Sequence, residues 1–245
     1  MKKLAIIGGT GLTAINELSI ISSELVETPY GVPSAPLVKG KLAEKEIIFL
    51  ARHGTGHTIP PHKINYRANI WALKSKGVTD VIGVAAVGGI HEEIPPEKIV
   101  IPDQIIDYTH GRKHTFFEKN LSFVTHIDFT HPYSEGLRKR LLFSAKTLNI
   151  DVYEGGTYGA TQGPRLETAA EIRRMEKDGC NIVGMTGMPE ASLAKELGIN
   201  YACCALSANW AAGKSEKEIT MDNINKAVED GMTAVKSLLE SVVSS

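Results

Sequence analysis

The residues of this chain best suited to chemistry stand at the ends of short apolar runs. LAIIGG (4–9) leads into GGTGL (8–12), a glycine turn whose free backbone N–H groups and Thr10 hydroxyl can hold an anion. It does not match the GxGxxG fingerprint of a dinucleotide site. EIIFLA (46–51) ends in ARHG (51–54), where Arg52 can fork onto a phosphate and His53 can add a donor. VIGVAAV (81–87) continues into VAAVGGI (84–90), whose small residues, Ala86 among them, let a ligand approach the backbone. NIVGM (181–185) opens into GMTGMPEASLAKE (184–196), which offers the Thr186 hydroxyl and the soft surface of Met185 before Pro189 and Glu190 start a helix. TQGPRLETAAE (161–171) sets Arg165 and Glu167 around a rigid turn, and ALSANWAAG (205–213) puts Asn209 into an otherwise apolar strand. Each stretch alone also has an ordinary packing explanation: a tight turn, a solvated Arg-His pair, a core methionine, a first-turn glutamate, a buried amide satisfied by backbone.

Two other chemistries are disfavoured. His53, His57 and His62 cluster in RHGTGHTIPPH, but this is a Gly/Pro loop with no cysteine and no zincin spacing, so no metal site is expected. A serine hydrolase lacks its GxSxG elbow. What remains is an anion site assembled from several strand ends.

The elements that must position these residues follow from periodicity. To the apolar runs above the chain adds KIVIPDQIID (98–107) and YACCAL (201–206), all reading as strands buried on both faces. Helical periods cover 67–77, 134–150, 167–179 and 189–199, and a last one, from MDNINKAVED onward, closes the chain. This alternation predicts an α/β fold with a mixed or largely parallel sheet, in which ligands bind beyond the carboxyl ends of the strands. No linker or repeat divides the 245 residues, so one domain, 1–245, is expected. The 27 Lys+Arg against 28 Asp+Glu are scattered, which argues against nucleic acid or anionic lipid and for a small ligand. Cys180, Cys203 and Cys204 fit no disulfide or metal spacing, and the apolar run of MKKLAIIGG is too short for a signal or a membrane span; both point to a cytoplasmic protein.

Taken in order and spacing, IIGGTGL, ARHGTGHTIPPHKINYRANIWALK, VAAVGGI, TQGPRLE, GMTGMPEASLAKE and the strand into Asn209 resemble the trimeric purine nucleoside phosphorylase and methylthioadenosine phosphorylase family over nearly the whole chain. The resemblance implies a single α/β domain around a mixed, partly barrel-like sheet flanked by helices. It also implies a homotrimer with active sites near the subunit interfaces, and phosphorolysis of a purine nucleoside through an oxocarbenium-like transition state. No cofactor is implied; inorganic phosphate is a co-substrate. Carried over by position, Thr10, Arg52, His53, Ala86 and Thr186 correspond to the phosphate cradle and Met185 to the floor of the ribose site. At Ala85 the chain departs from the hydroxyl residue common in the family, so that contact is not expected. His126, in THIDFTHPY, matches the histidine that a neighbouring subunit extends toward the 5′ substituent.

The base end distinguishes branches of the family. Methylthioadenosine phosphorylases carry an Asp at the position of Asn209 and another two residues later; this chain has Asn209 and Ala211. An amide can accept from a protonating N7 and donate to a 6-oxo group. Glu167 matches the glutamate with which the 6-oxopurine branch accepts from the ring N–H. The resemblance thus assigns Asn209 and Thr186 to the catalytic machinery. The chain's short length and its HKINYRANIWALK segment are closer to the methylthio branch, and Met188, Met221 and Leu166 are candidates for an apolar 5′ pocket, with core packing as their alternative. Together these imply that 5′-methylthioinosine and phosphate give hypoxanthine and 5-methylthioribose 1-phosphate. A methylthioadenosine phosphorylase, an inosine/guanosine phosphorylase and a non-catalytic nucleotide-binding or scaffold module are the alternatives.

Overall fold

The computed structural model describes residues 3–12, 15, 18–119 and 121–245. Met1 and Lys2 of the opening MKKLAIIGG lie outside them. The sheet is organised around one long strand, β5 (Asp80–Gly89), whose residues are all buried except the half-buried Ala86. On one edge it pairs in parallel with β11 (Asn200–Trp210) along its whole length. Its other edge is shared. β1 (Leu4–Gly8) pairs in parallel with Asp80 to Gly83, and β10 (Cys180–Gly184) pairs antiparallel with Gly88 and Gly89. Between Gly83 and Gly88 that edge has no strand partner among the described residues, so the sheet forks instead of running on as a ribbon.

One arm continues from β1 to β4 (Lys45–Ala51), β3 (Leu37–Leu42) and β2 (Ser19–Glu24), and another from β10 to β9 (Thr157–Ala160) and β7 (Gln104–Asp107). A third arm runs from β11 to β6 (Ile99–Ile101) and β8 (Val152–Glu154). Among the described residues five α-helices flank the sheet. α1 (Tyr66–Ser75) packs on α4 (Gly187–Glu196), and α2 (Glu135–Thr147) packs on α5 (Met221–Ser244); α2, α4 and α5 all lie against β11. α3 (Ala169–Lys177) packs on β10. Apolar side chains from Leu4 to Val243 join in one large core, with a smaller cluster around Ile172 and Met175.

The expected mixed α/β sheet is therefore present, with corrections of detail. The run 98–107 is two strands, because Pro102 and Asp103 interrupt it and the halves pair with different neighbours, β6 with β8 and β11, β7 with β9. Strands β2, β3, β8 and β9 are additional. The helix expected from 167 starts at Ala169: Thr168 is its N-cap and forms a capping box with Glu171, which leaves Glu167 outside the helix. Met188 and Pro189 are non-helical, so regular α4 geometry follows them.

Candidate functional site

A cleft of about 260 Å³ opens at the fork of the sheet. Thr10, Arg52, His53, Ala86, Leu166, Glu167, Met185, Thr186, Asn209 and Met221 all line it, although they come from seven separate stretches of chain.

The unpaired edge of β5 forms its floor. Extended strands direct the N–H and C=O of alternate residues to opposite edges. The Ala211 N–H donates to the Gly89 carbonyl on the β11 side, whereas the Ile90 N–H donates to Asn181 on the β10 side. The Val84 carbonyl, on the latter side, accepts from Arg52 Nη1 at 2.7 Å. By the same alternation the Ala86 amide points to this edge, where neither β1 nor β10 pairs with it. Gly9 closes the approach: a Cβ there would stand 2.7 Å from the Val84 oxygen and 2.8 Å from Arg52 Nη1. Thr186 adds a hydroxyl. It is the N-cap of α4, yet its side chain makes no capping bond, and its backbone N–H reaches the Tyr158 hydroxyl at 3.4 Å.

Arg52 differs from its expected state. Only 1% of it is exposed, and its fork is already occupied: Nε and Nη2 donate to the two Glu190 carboxylate oxygens at 2.7 and 2.6 Å. Tyr201 donates to the same carboxylate at 2.7 Å. Burial alone would lower the Arg52 pKa, but the Glu190 charge and hydrogen bonds overcome this and raise it further, so the guanidinium is permanently charged and paired. The Nε/Nη2 fork is therefore taken by Glu190, and one N–H on each of Nη1 and Nη2 remains for a ligand. His53 Nδ1 lies 2.8 Å from the Ile59 carbonyl, and burial, followed by the Arg52 charge, lowers its pKa to about 4.

At the other end, a bulge in the pairing of β11 with β5 falls between Ser207 and Asn209. Bulges re-aim side chains: past this one Asn209 reaches the cleft, which the buried Ala208 also lines. Asn209 Nδ2 donates to the Trp210 carbonyl at 2.7 Å, which fixes which end of the amide is the donor. Its oxygen and second N–H are left for the cleft. Glu167 is held by the Thr161 hydroxyl, which donates to Oε1 at 2.6 Å.

Three expected residues stand elsewhere. Met188 is in the main core, where only its carbonyl is used, as an acceptor for Arg112. Ala211 is buried in the smaller cluster beside Val183 and faces Gly88, not the cleft. His126 is exposed on the segment between β7 and α2 and does not line the cleft of its own chain. Leu166 and Met221 lie at the cleft but are 42% and 63% exposed, so one chain alone does not enclose an apolar pocket there. Among the described residues no group of three His, Cys, Asp or Glu side chains is placed to hold a metal ion, and no helix is long and apolar enough to cross a membrane.

Sequence reasoning missed two residues. Glu190, read as a helix opener, is the partner of Arg52. Arg112 lies in a polar loop without a motif, yet its buried guanidinium donates to the carbonyls of Thr161, Gln162, Met185 and Met188, to Gln162 Oε1 and to the Tyr66 hydroxyl. It thereby ties the Glu167 turn to the Thr186 turn. No sequence signal marks it, because most of its acceptors are backbone.

The arrangement joins a strand edge with unpaired backbone groups to the hydrogen-bonding side chains of Asn209 and Glu167 around one partly apolar cleft. The family model described as "Phosphorylase superfamily" matches residues 3–244. A protein of Pseudomonas syringae pv. tomato named "Probable S-methyl-5'-thioinosine phosphorylase" is 54% identical over all of this chain and 99% of its own length. A "6-oxopurine nucleoside phosphorylase" of Pyrococcus furiosus is 43% identical over 99% of this chain and 92% of its own. Among solved structures, methylthioadenosine phosphorylase from Schistosoma mansoni in complex with adenine superposes with a TM-score of 0.95 at 32% identity, covering 100% of this chain and 91% of that one.

Proposed function

The chain belongs to the phosphorylase superfamily, and from that premise we propose that it cleaves a 6-oxopurine nucleoside with inorganic phosphate. The preferred substrate is 5′-methylthioinosine, giving hypoxanthine and 5-methylthioribose 1-phosphate. The observation that carries the choice of base is that Asn209 and Glu167 both line the same cleft. A 6-oxopurine presents a donor at N1 and an acceptor at O6; adenine presents the reverse. The carboxylate of Glu167 accepts from N1–H and would repel the N1 lone pair of adenine. The fixed amide of Asn209 donates to O6 and accepts from N7 as the leaving base gains electrons.

Phosphate is held by the Ala86 amide and the hydroxyls of Thr10 and Thr186, beneath the sugar plane for which Met185 is the floor. Preorganised donors of this kind stabilise charge as it develops in the transition state and cost no reorganisation there. The exposed Leu166 and Met221 at the mouth fit a methylthio group enclosed by a second chain, and we assign His126 of a neighbouring subunit in a homotrimer to that end. The reaction needs no metal or organic cofactor, and the reading places the protein in the cytoplasm. The names of the relatives at 54% and 43% identity support a 6-oxopurine reaction in this branch.

The test is a ranking of kcat/KM for methylthioinosine, methylthioadenosine, inosine and guanosine, each with and without phosphate. Methylthioinosine is expected first, with no turnover when phosphate is omitted. Methylthioadenosine ranking first by a wide margin would overturn the substrate assignment, and phosphate-independent cleavage would overturn the reaction.

A further inference from the structure

The Glu167 carboxylate is held from outside the cleft. Thr161, the residue after β9, is fixed at both ends of its backbone: its N–H donates to the Gly184 carbonyl at 2.8 Å, and its own carbonyl accepts from Arg112 Nη2 at 3.1 Å. Its buried hydroxyl stands 2.6 Å from Glu167 Oε1 and 3.3 Å from the Gly184 carbonyl. A hydroxyl has one proton to give, and it goes to the carboxylate, which is both the nearer and the stronger acceptor. Glu167 lines two hollows: the cleft it shares with Asn209, and a second of about 450 Å³ beside Tyr108, Arg174 and Met175. Thr161 lines only the second. Oε1 is thus drawn to that side, and Oε2, which has no hydrogen bond among the described residues, is the oxygen left for the cleft. The neighbouring acceptors are engaged as well. Gln162 Oε1 receives the His110 N–H and Arg112 Nε, and the two Glu171 oxygens receive Arg165.

We infer that Thr161 sets the specificity of the site at purine C2: by holding one oxygen of Glu167 it leaves a single acceptor for the edge of the base, so that hypoxanthine is preferred to guanine. This rests on the 6-oxopurine reading and narrows its substrate to bases with hydrogen at C2. A guanine edge offers two parallel donors, N1–H and the 2-amino group, a pattern that a carboxylate meets with both oxygens. Here N1–H takes Oε2, and the amino group faces an oxygen that already accepts from Thr161. Sharing that oxygen would require the carboxylate to swing and the hydroxyl to follow it, which the two backbone bonds of Thr161 oppose. A donor left without an acceptor in a desolvated site costs more than a bond that was never offered, and hypoxanthine makes no such demand. Thr161 is therefore a positioning residue that acts on the base through Glu167.

The experiment compares inosine and guanosine, which differ only in the 2-amino group, as substrates of the full chain with phosphate. In the wild type kcat/KM for inosine is expected to exceed that for guanosine at least about tenfold, the scale of one unsatisfied buried donor. A guanosine value within about threefold of inosine, or above it, would overturn the inference. In Thr161→Val, which keeps the shape and removes the hydroxyl, both oxygens of Glu167 are released to the base and the ratio should fall toward unity. Thr161→Ser, which keeps the hydroxyl, should keep the wild-type ratio. A purely structural role would lower both nucleosides together and leave the ratio of Thr161→Val unchanged, and that result in folded protein would overturn the assignment to Thr161. If the valine variant does not fold, Thr161→Ala is read in the same way, and the wild-type ratio remains a test by itself. Absence of phosphate-dependent turnover on both nucleosides would instead overturn the phosphorolysis reading. Calorimetric titration with the free bases then decides the preference without any reaction: tighter binding of hypoxanthine supports it, while equal or tighter binding of guanine, or binding of neither, overturns it.

Discussion

Replacing Glu190 by Gln tests how the anion site is built. The wild-type carboxylate receives three donors, Arg52 Nε, Arg52 Nη2 and the Tyr201 hydroxyl, at 2.6 to 2.7 Å, with no exposed surface of its own. A glutamine of the same volume supplies one acceptor oxygen and turns an NH₂ toward donors, leaving the buried guanidinium charge unbalanced. Breaking a buried pair in this way costs about 3–5 kcal/mol, which for a domain of this size lowers Tm by roughly 6–20 °C. Removing the whole network should cost less. In the triple variant Arg52→Met, Glu190→Leu, Tyr201→Phe no charge is stranded, and the principal loss is the donor to the Val84 carbonyl, about 1–3 kcal/mol. The triple variant is therefore expected to be more stable than Glu190→Gln in thermal and urea unfolding, and to lack phosphate-dependent turnover. A Glu190→Gln protein within about 1 kcal/mol of wild type, or a triple variant less stable than it, would refute the account of Arg52 as a charge held by its partner.

Asn209→Asp removes the donor to O6 and is expected to lower kcat/KM for a 6-oxopurine nucleoside about 10²–10³-fold, the usual effect of deleting one preorganised donor; an unchanged value would show that Asn209 does not contact the base. His53 should also shape acid stability. Its pKa falls from the ordinary 6.5 to about 4 in the folded chain, so between these values the unfolded state binds the extra proton. Its contribution is complete above pH 6.5 and is lost as pH falls toward 4, by up to about 3 kcal/mol, and His53→Gln should flatten that part of the stability–pH curve; parallel curves would contradict it.

The chain reveals its local features and conceals its partnerships. The strand-end stretches around Thr10, Arg52, Ala86, Thr186 and Asn209 carry their own signals, because glycine turns, hydroxyls and a polar residue in an apolar run are visible within a few residues. Glu190 is 138 positions from Arg52, and a glutamate opening a helix needs no further explanation, so nothing local marks it as the charge that occupies the fork. Arg112 is hidden for a related reason, since carbonyl acceptors leave no trace in residue type. Strand β2 eludes the periodicity because it is exposed along its length, with Ile20 and Ile21 at the surface. β8 and β9 are short and are separated by Gly155 and Gly156. Nor can the sequence place the bulge that aims Asn209, which depends on the register against β5.

The fork of the sheet links these observations. With Arg52 balanced by Glu190 and His53 neutral, attraction for an anion has to come mainly from oriented N–H and O–H groups. Backbone N–H groups in a sheet are normally consumed by a neighbouring strand. Here β1 stops pairing at Gly83 and β10 begins at Gly88, so the strand edge between them keeps its hydrogen-bonding capacity inside the protein. On the far edge of the same strand, β11 continues through its bulge and brings Asn209 to the cleft. Under the proposed reaction one strand would supply the anion floor on one edge and set the position of the base reader on the other, with the separation of the two fixed by backbone pairing. Arg112 performs the corresponding task for the opposite wall by joining the Glu167 turn to the Thr186 turn. A reaction that requires phosphate and base to be held on either side of one sugar gains from this construction, because strand geometry is far stiffer than a loop, and small errors in reacting distance lower the rate steeply.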